Sequence, residues 1–191
     1  MRYSSDHKAE AREKLLKATG KGFRRQGYGG IGVDGLAKEA GVTSGSFYGH
    51  FKSKDAAFEA AAIAGLQQLL DAIRQLQETL GAQWTDAFVD FYLSERLTCA
   101  LDDSCALQSM TADVMRAGES TKKLYQQGLS QVAEQIAKGL KGNSTPRKQK
   151  QAWALMALLS GGVTMLRSMA DQEQRLLIAK QLKSAAKSLL D

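Results

Sequence analysis

Pro146 is the only proline among 191 residues, and this scarcity constrains the fold more than any other feature of the chain. Long proline-free runs without period-two alternation, carrying apolar residues at i, i+3, i+4 and i+7, favour helix over strand. The sequence therefore predicts an all-α protein of about nine helices, with glycines as the main stops. A first helix spans residues 7–26, where Leu15, Leu16, Ala18, Thr19, Gly22 and Phe23 form an apolar or small stripe, and it ends at Gly27. A second covers 33–40, buries Val33, Leu36, Ala37 and Ala40, and is broken by Gly41. The third starts near Thr43, whose hydroxyl suits an N-cap, and ends near Phe51. Longer helices follow over 55–80, 85–101, 106–116, 120–140, 147–169 and 172–190. The loop "KGNSTPRK" places Pro146 at a first helical position.

The formal net charge of +6 is unevenly distributed. Residues 1–54 hold 11 Lys and Arg against 5 Asp and Glu, whereas residues 55–191 hold 15 of each. A basic head on a neutral body suggests contact with a polyanion at one end and a different task at the other. The expected division is a DNA-binding domain over 1–54 and a second helical domain over 55–191. The most apolar segment, 152–166, is too short to span a bilayer, so the chain is expected to be soluble and cytoplasmic. Cys99 and Cys105 show no CxxC spacing or Cys/His cluster, and no motif calls for a metal or cofactor.

Within the basic head, "AKEAGVTSGSFYGHFKSK" concentrates unusual chemistry. At 100° per residue, Phe47 and Phe51 fall on one side of the third helix. Gly45, Tyr48 and Gly49 fall opposite, with Ser46 at their edge. The phenylalanines should anchor the helix on Leu36, Ala37 and the first helix, giving a helix-turn-helix unit with its polar face outward. The glycines permit close approach to a major groove, where Ser46 and Tyr48 can bond base edges or phosphates. His50 and Lys54 flank that face as phosphate ligands. The backbone N–H groups that begin the second helix offer a further phosphate site.

Over residues 15–54 the sequence resembles the TetR/AcrR family of bacterial transcriptional regulators, through "GY" at Gly27–Tyr28, "LAKEAGV" at 36–42 and "GSFYGHFKSK" at 45–54. The resemblance implies a three-helix DNA-binding domain, a C-terminal domain that dimerises and binds an inducer, and operator release on ligand binding, most often as a repressor. It places Ser44, Gly45, Ser46 and Tyr48 on the operator-facing surface, and Tyr48, His50 and Lys54 at phosphates. Many members carry a hydroxyl residue at the start of the second helix, where this chain has Gly32. A side-chain phosphate contact is lost there while the N-cap is kept.

In the body, "SGG" at 160–162 lets another helix approach closely, and the last two helices, 147–190, are the expected homodimer interface. Trp84, Phe88, Phe91, Tyr92, Met110, Met115, Trp153 and Met156 are the candidate lining of a small-molecule inducer pocket, since aromatic and thioether groups make adaptable walls; each also suits plain core. Such a ligand would act by shifting helix 55–80, whose start touches the head. Cys105, at a helix start, leaves a thiol-based redox or electrophile sensor as an alternative, with Asp102 and Asp103 opposing a reactive thiolate. A helical protein-interaction module without DNA binding is a third reading, and it leaves the charge split unexplained. An enzyme is disfavoured, because the two histidines, His7 and His50, stand apart from any phosphate loop or metal-ligand spacing.

Overall fold

The computed structural model describes residues 3–190, with side chains from Lys8 onward, so the side chain of His7 lies outside the described residues. The elements are α1 (Tyr3–Gly30), α2 (Val33–Glu39), α3 (Ser44–His50), α4 (Lys54–Leu80), α5 (Trp84–Tyr92), α6 (Glu95–Thr98), α7 (Ala106–Ser109), α8 (Thr111–Val114), α9 (Glu119–Gly139), α10 (Thr145–Arg167) and α11 (Gln172–Leu190). Single 3₁₀ turns occupy Gly81–Gln83 and Leu101–Asp103. No strand occurs among the described residues, and none of their helices is long and apolar enough to cross a membrane. Contacts divide the chain into two compact units. One gathers the chain through Gly65 with Ala100–Tyr125; the other gathers Leu66–Cys99 with the segment from Gln126 onward.

In the first unit, Gly27 breaks α1 as its sequence position predicts, with φ 73° and ψ 170°, and one further turn carries the chain to Gly30. A side chain there would be strained in the left-handed region. Gly22 lets α1 and α2 meet closely: a Cβ on it would lie 3.0 Å from both Ile31 Cδ1 and Leu36 Cδ2. After α2, Gly41 turns the chain at φ 67°, and the Thr43 hydroxyl accepts the Ser46 N–H at 3.1 Å to cap α3. That cap satisfies a donor which the first turn of a helix cannot pair internally. Helix α3 stops at His50; Phe51, expected as its last residue, is an extended C-cap whose N–H still bonds Phe47 O. Leu36, Phe47 and Phe51 are buried beneath it. Phe23, Tyr28 and Phe58 form an aromatic cluster alongside, with Phe58 edge-on to both neighbours at centroid distances of 5.2 and 5.3 Å.

The segment 100–125 packs on α1 and on the start of α4. Arg24 Nε donates to Asp102 O at 2.8 Å, and Lys21 Nζ lies 3.1 Å from Asp103 Oδ1. Gly65 is closed over by Ala106, whose Cβ would sit 2.2 Å from any Cβ placed on Gly65. The helix expected over 106–116 is divided at Met110 (φ −108°, ψ −16°) into α7 and α8. Beside the break the Thr111 hydroxyl donates back to Leu107 O, the local side-chain bond that competes with regular helix.

The second unit contains the other break. A continuous helix is expected over 85–101, yet Leu93 and Ser94 leave helical geometry (φ −95°, ψ 18° and φ −134°, ψ −76°), and Cys99 is extended after the single turn of α6. The Arg167 guanidinium, at the end of α10, donates to Arg96 O at 2.7 Å and to Cys99 O at 2.9 Å. Those carbonyls gain charge-assisted partners in place of the intrahelical bonds of a longer helix. Along α10, Gly162 admits α11 so closely that a Cβ would lie 2.8 Å from Leu182 Cδ1. The Ser144 side chain caps α10, which makes Thr145 its first residue and moves Pro146 one position later than expected. Proline is tolerated there for the reason it suits the first position, since N–H groups in the first turn have no intrahelical acceptor.

Candidate nucleic-acid interface

The outward face of α3 is produced by its burial pattern. Phe47 is fully buried while its neighbour Tyr48 is 54% exposed, its ring standing edge-on to Phe47 at 5.8 Å. Gly45, Ser46 and Gly49 are exposed beside it. Nothing lies within 4 Å of a Cβ built on Gly49, and only the capping Thr43 hydroxyl, at 3.8 Å, comes near one built on Gly45. The result is a shallow ledge of backbone with one aromatic hydroxyl rising from it, a shape that can enter a groove without steric obstruction.

Of three further expected contact residues, two are held by neighbours. Ser44 donates its hydroxyl to Asp34 Oδ1 at 2.5 Å, tying the start of α3 to the first turn of α2. His50, half-buried in the last turn of α3, has a buried Nδ1 with no hydrogen-bond partner among the described residues. Lys54 begins α4 rather than lying on α3, and its ammonium sits 4.2 Å from the centroid of the Tyr28 ring. A cation over an aromatic face at a partly exposed site is stabilised by about 0.5–1 kcal/mol, a restraint that a phosphate could outcompete. Gly32 is the extended N-cap of α2 with open space around it and no side-chain cap. Asp34 was not singled out in the sequence. Its acidic character in the first turn of α2 was the available signal, but the hydrogen bond to Ser44 depends on the tertiary turn between the helices.

The side chains expected to line an inducer pocket are dispersed. Trp84, Phe88 and Tyr92 are buried one turn apart along α5, with successive centroids 6.0 and 5.1 Å apart, and the Trp84 indole N–H donates to Gly139 O at 3.0 Å. They are core of the second unit. Met156 is buried in α10, Phe91 is half-buried under the Arg96 guanidinium, and Trp153 is exposed. Met110 and Met115 belong to the first unit, the former buried and the latter 71% exposed. Along α5 the successive rings pack at tilts of 41° and 58°. Cys105 is buried at the N-cap of α7, whereas Cys99 is half-buried with Arg167 Nη1 3.5 Å from its sulfur.

Residues 15–61, which contain α2, α3 and their connecting turn, match the model of the bacterial regulatory proteins of the tetR family. Over those residues the chain is a tetR-family protein. A tetR-family head thus carries the ledge of α3, and the protein is a helix-turn-helix, DNA-binding transcription regulator. Among curated relatives, it is 26% identical over 167 residues to the HTH-type transcriptional regulator LmrA of Bacillus subtilis strain 168, covering 82% of this chain and 86% of that protein. Its fold resembles that of reduced E. coli NemR, with a TM-score of 0.76 and 19% identity over 95% of this chain and 97% of that one. It also resembles a TetR-family regulator from Cytophaga hutchinsonii, with a TM-score of 0.79 and 14% identity over 95% and 93% of the two chains.

Proposed function

We propose that this tetR-family protein is a cytoplasmic, ligand-responsive repressor that binds a palindromic operator as a homodimer and leaves it when a small-molecule inducer binds. The observation that carries the DNA-contact reading is the division of adjacent side chains on α3, Phe47 inward and Tyr48 outward, with glycines on the exposed side. Ser44, Gly45, Ser46 and Tyr48 then face the operator, with Gly49 allowing close approach, while Tyr48, His50, Lys54 and the backbone at Gly32 meet phosphates. Neutral groups on the ledge read sequence, and the excess of basic residues in the first 54 supplies attraction that does not depend on sequence.

Dimerisation through residues 147–190 is supported by an unoccupied stripe on α10. Trp153, Ala157, Gly161 and Met165 recur at four-residue spacing and are all exposed, and α11 adds exposed Leu176 and Leu177. A face of this kind is what a second copy would cover in a four-helix bundle. Two α3 helices held about 34–36 Å apart would read half-sites one helical turn apart.

The test is selection of the full-length protein against a random-sequence duplex pool, followed by gel-shift titration on the enriched sequence. The expected result is an enriched palindrome, bound more weakly as salt rises from about 50 to about 200 mM because phosphate contacts release counterions. Enrichment of no sequence, or a Tyr48→Ala variant that binds the selected duplex unchanged, overturns the DNA-contact reading.

A further inference from the structure

A cavity of about 740 Å³ opens inside the first unit, with no residue of α3 in its lining. Its size falls within the range of about 300–1,000 Å³ typical of small-molecule sites. The end of α1 contributes Tyr28 and Gly29, the start of α4 contributes Asp55 and Phe58, α8 contributes Asp113, and the α8–α9 turn contributes Arg116 and Gly118. Two carboxylates face this space together with two aromatic rings, the Tyr28 and Phe58 centroids lying 5.3 Å apart at 76°. The one cation of the lining, Arg116, is 76% exposed, and its nearest guanidinium nitrogen is 3.8 Å from Asp113 Oδ1, too long for a hydrogen bond. The Lys54 ammonium already lies over the Tyr28 ring, so what the lining itself offers is a net negative charge beside aromatic surface, the chemistry that receives a flat organic cation.

We infer that this cleft is a binding site for a small organic cation, such as an amine or amidine carried on a flat apolar body. The two carboxylates share one neighbour. Tyr28 donates its backbone N–H to Asp113 Oδ2 at 2.8 Å and its hydroxyl to Asp55 Oδ1 at 2.5 Å. Asp55 also holds the phenol protonated, raising its pKa through that hydrogen bond first and through burial second. A cation entering the cleft meets both carboxylates and competes for the oxygens that now hold Tyr28. Tyr28 follows the break at Gly27 and stacks beneath the Lys54 ammonium, so occupancy bears on the turn leading from α1 to α2 and on the start of α4. The consequence for DNA release rests on the ligand-responsive reading above; the binding itself does not, and it is measured without DNA.

The probe is benzamidine, with neutral benzamide as its isostere, titrated into the full-length ¹⁵N-labelled protein and followed by NMR chemical shifts. Benzamidine is expected to shift the Tyr28, Gly29 and Gly118 amides and to bind at least tenfold more tightly than benzamide. Asp55→Asn should weaken it about fivefold or more. Gly118→Phe keeps both carboxylates and places a ring where a Cβ meets no atom within 4 Å, at a backbone without positive φ, so it should abolish binding in a folded protein. Equal affinity for the two probes, shifts located elsewhere, or benzamidine binding undiminished in a folded Gly118→Phe variant overturns the inference. Failure of duplex selection with these results intact would remove the operator reading alone.

Discussion

Helices α3 and α5 both carry closely spaced aromatic residues, and they use them in opposite ways. On α3, adjacent Phe47 and Tyr48 point to opposite sides, one fully buried and one 54% exposed. On α5, Trp84, Phe88 and Tyr92 follow a strict four-residue spacing and all turn inward. Helical period explains both: residues one apart diverge by 100°, and residues four apart nearly coincide. Neighbouring aromatics on a short helix therefore mark a surface, and aromatics in register mark a core.

The sharpest way to break the contrast is to truncate one ring on each helix. Trp84→Ala removes a buried indole and leaves Gly139 O without its donor, so urea denaturation should show a loss of about 3–5 kcal/mol. A loss below about 1 kcal/mol would mean that α5 is not core. Tyr125 supplies an intermediate case, because its phenol is buried and held near the Thr111 hydroxyl, and burial is the main cause that pushes its pKa up to about 12. The folded state holds that proton more tightly than the unfolded chain. The associated stability is therefore complete below about pH 10 and is lost as pH rises from about 10 to about 12, an effect of roughly 2–3 kcal/mol. Denaturation midpoints measured across that window should fall less steeply for Tyr125→Phe than for the unsubstituted protein; parallel curves would show that another group governs the loss.

On the exposed side the expectation reverses. Tyr48→Ala should change stability by no more than about 0.5 kcal/mol while weakening the selected duplex by about 1–3 kcal/mol, read by denaturation and gel shift on the same sample. Smallest is Thr43→Ala, which removes the hydroxyl that caps α3 and should cost about 1 kcal/mol in thermal unfolding. A neutral result there would show that packing of Phe47 alone holds the helix in place.

The head was legible because each of its boundaries has a local chemical cause. Gly27 and Gly41 adopt positive φ, Thr43 caps, and Phe47 follows the helical period. The ends of α4, α9 and α11 were legible for similar reasons. Residues 93–118 were not, since no proline or glycine marks the break at Ser94 or the division at Met110. The groups that stabilise those breaks include Arg167, 68 residues beyond Cys99, and the Thr111 hydroxyl. Nothing local announced that Ala100–Tyr125 would pack with the N-terminal segment. The cleft escaped notice for the same reason, because Tyr28 and Asp113 are 85 residues apart in sequence and meet only in the fold.

The hydrogen bond between Asp34 and Ser44 places an acidic side chain beside the helix proposed above to face the operator. On that reading every encounter with duplex is weakened alike, whatever its sequence, and the neutral groups of the ledge are left to recover the difference only where the bases match. Discrimination then grows from repulsion as much as from attraction, which favours a short residence on the vast excess of irrelevant chromosome.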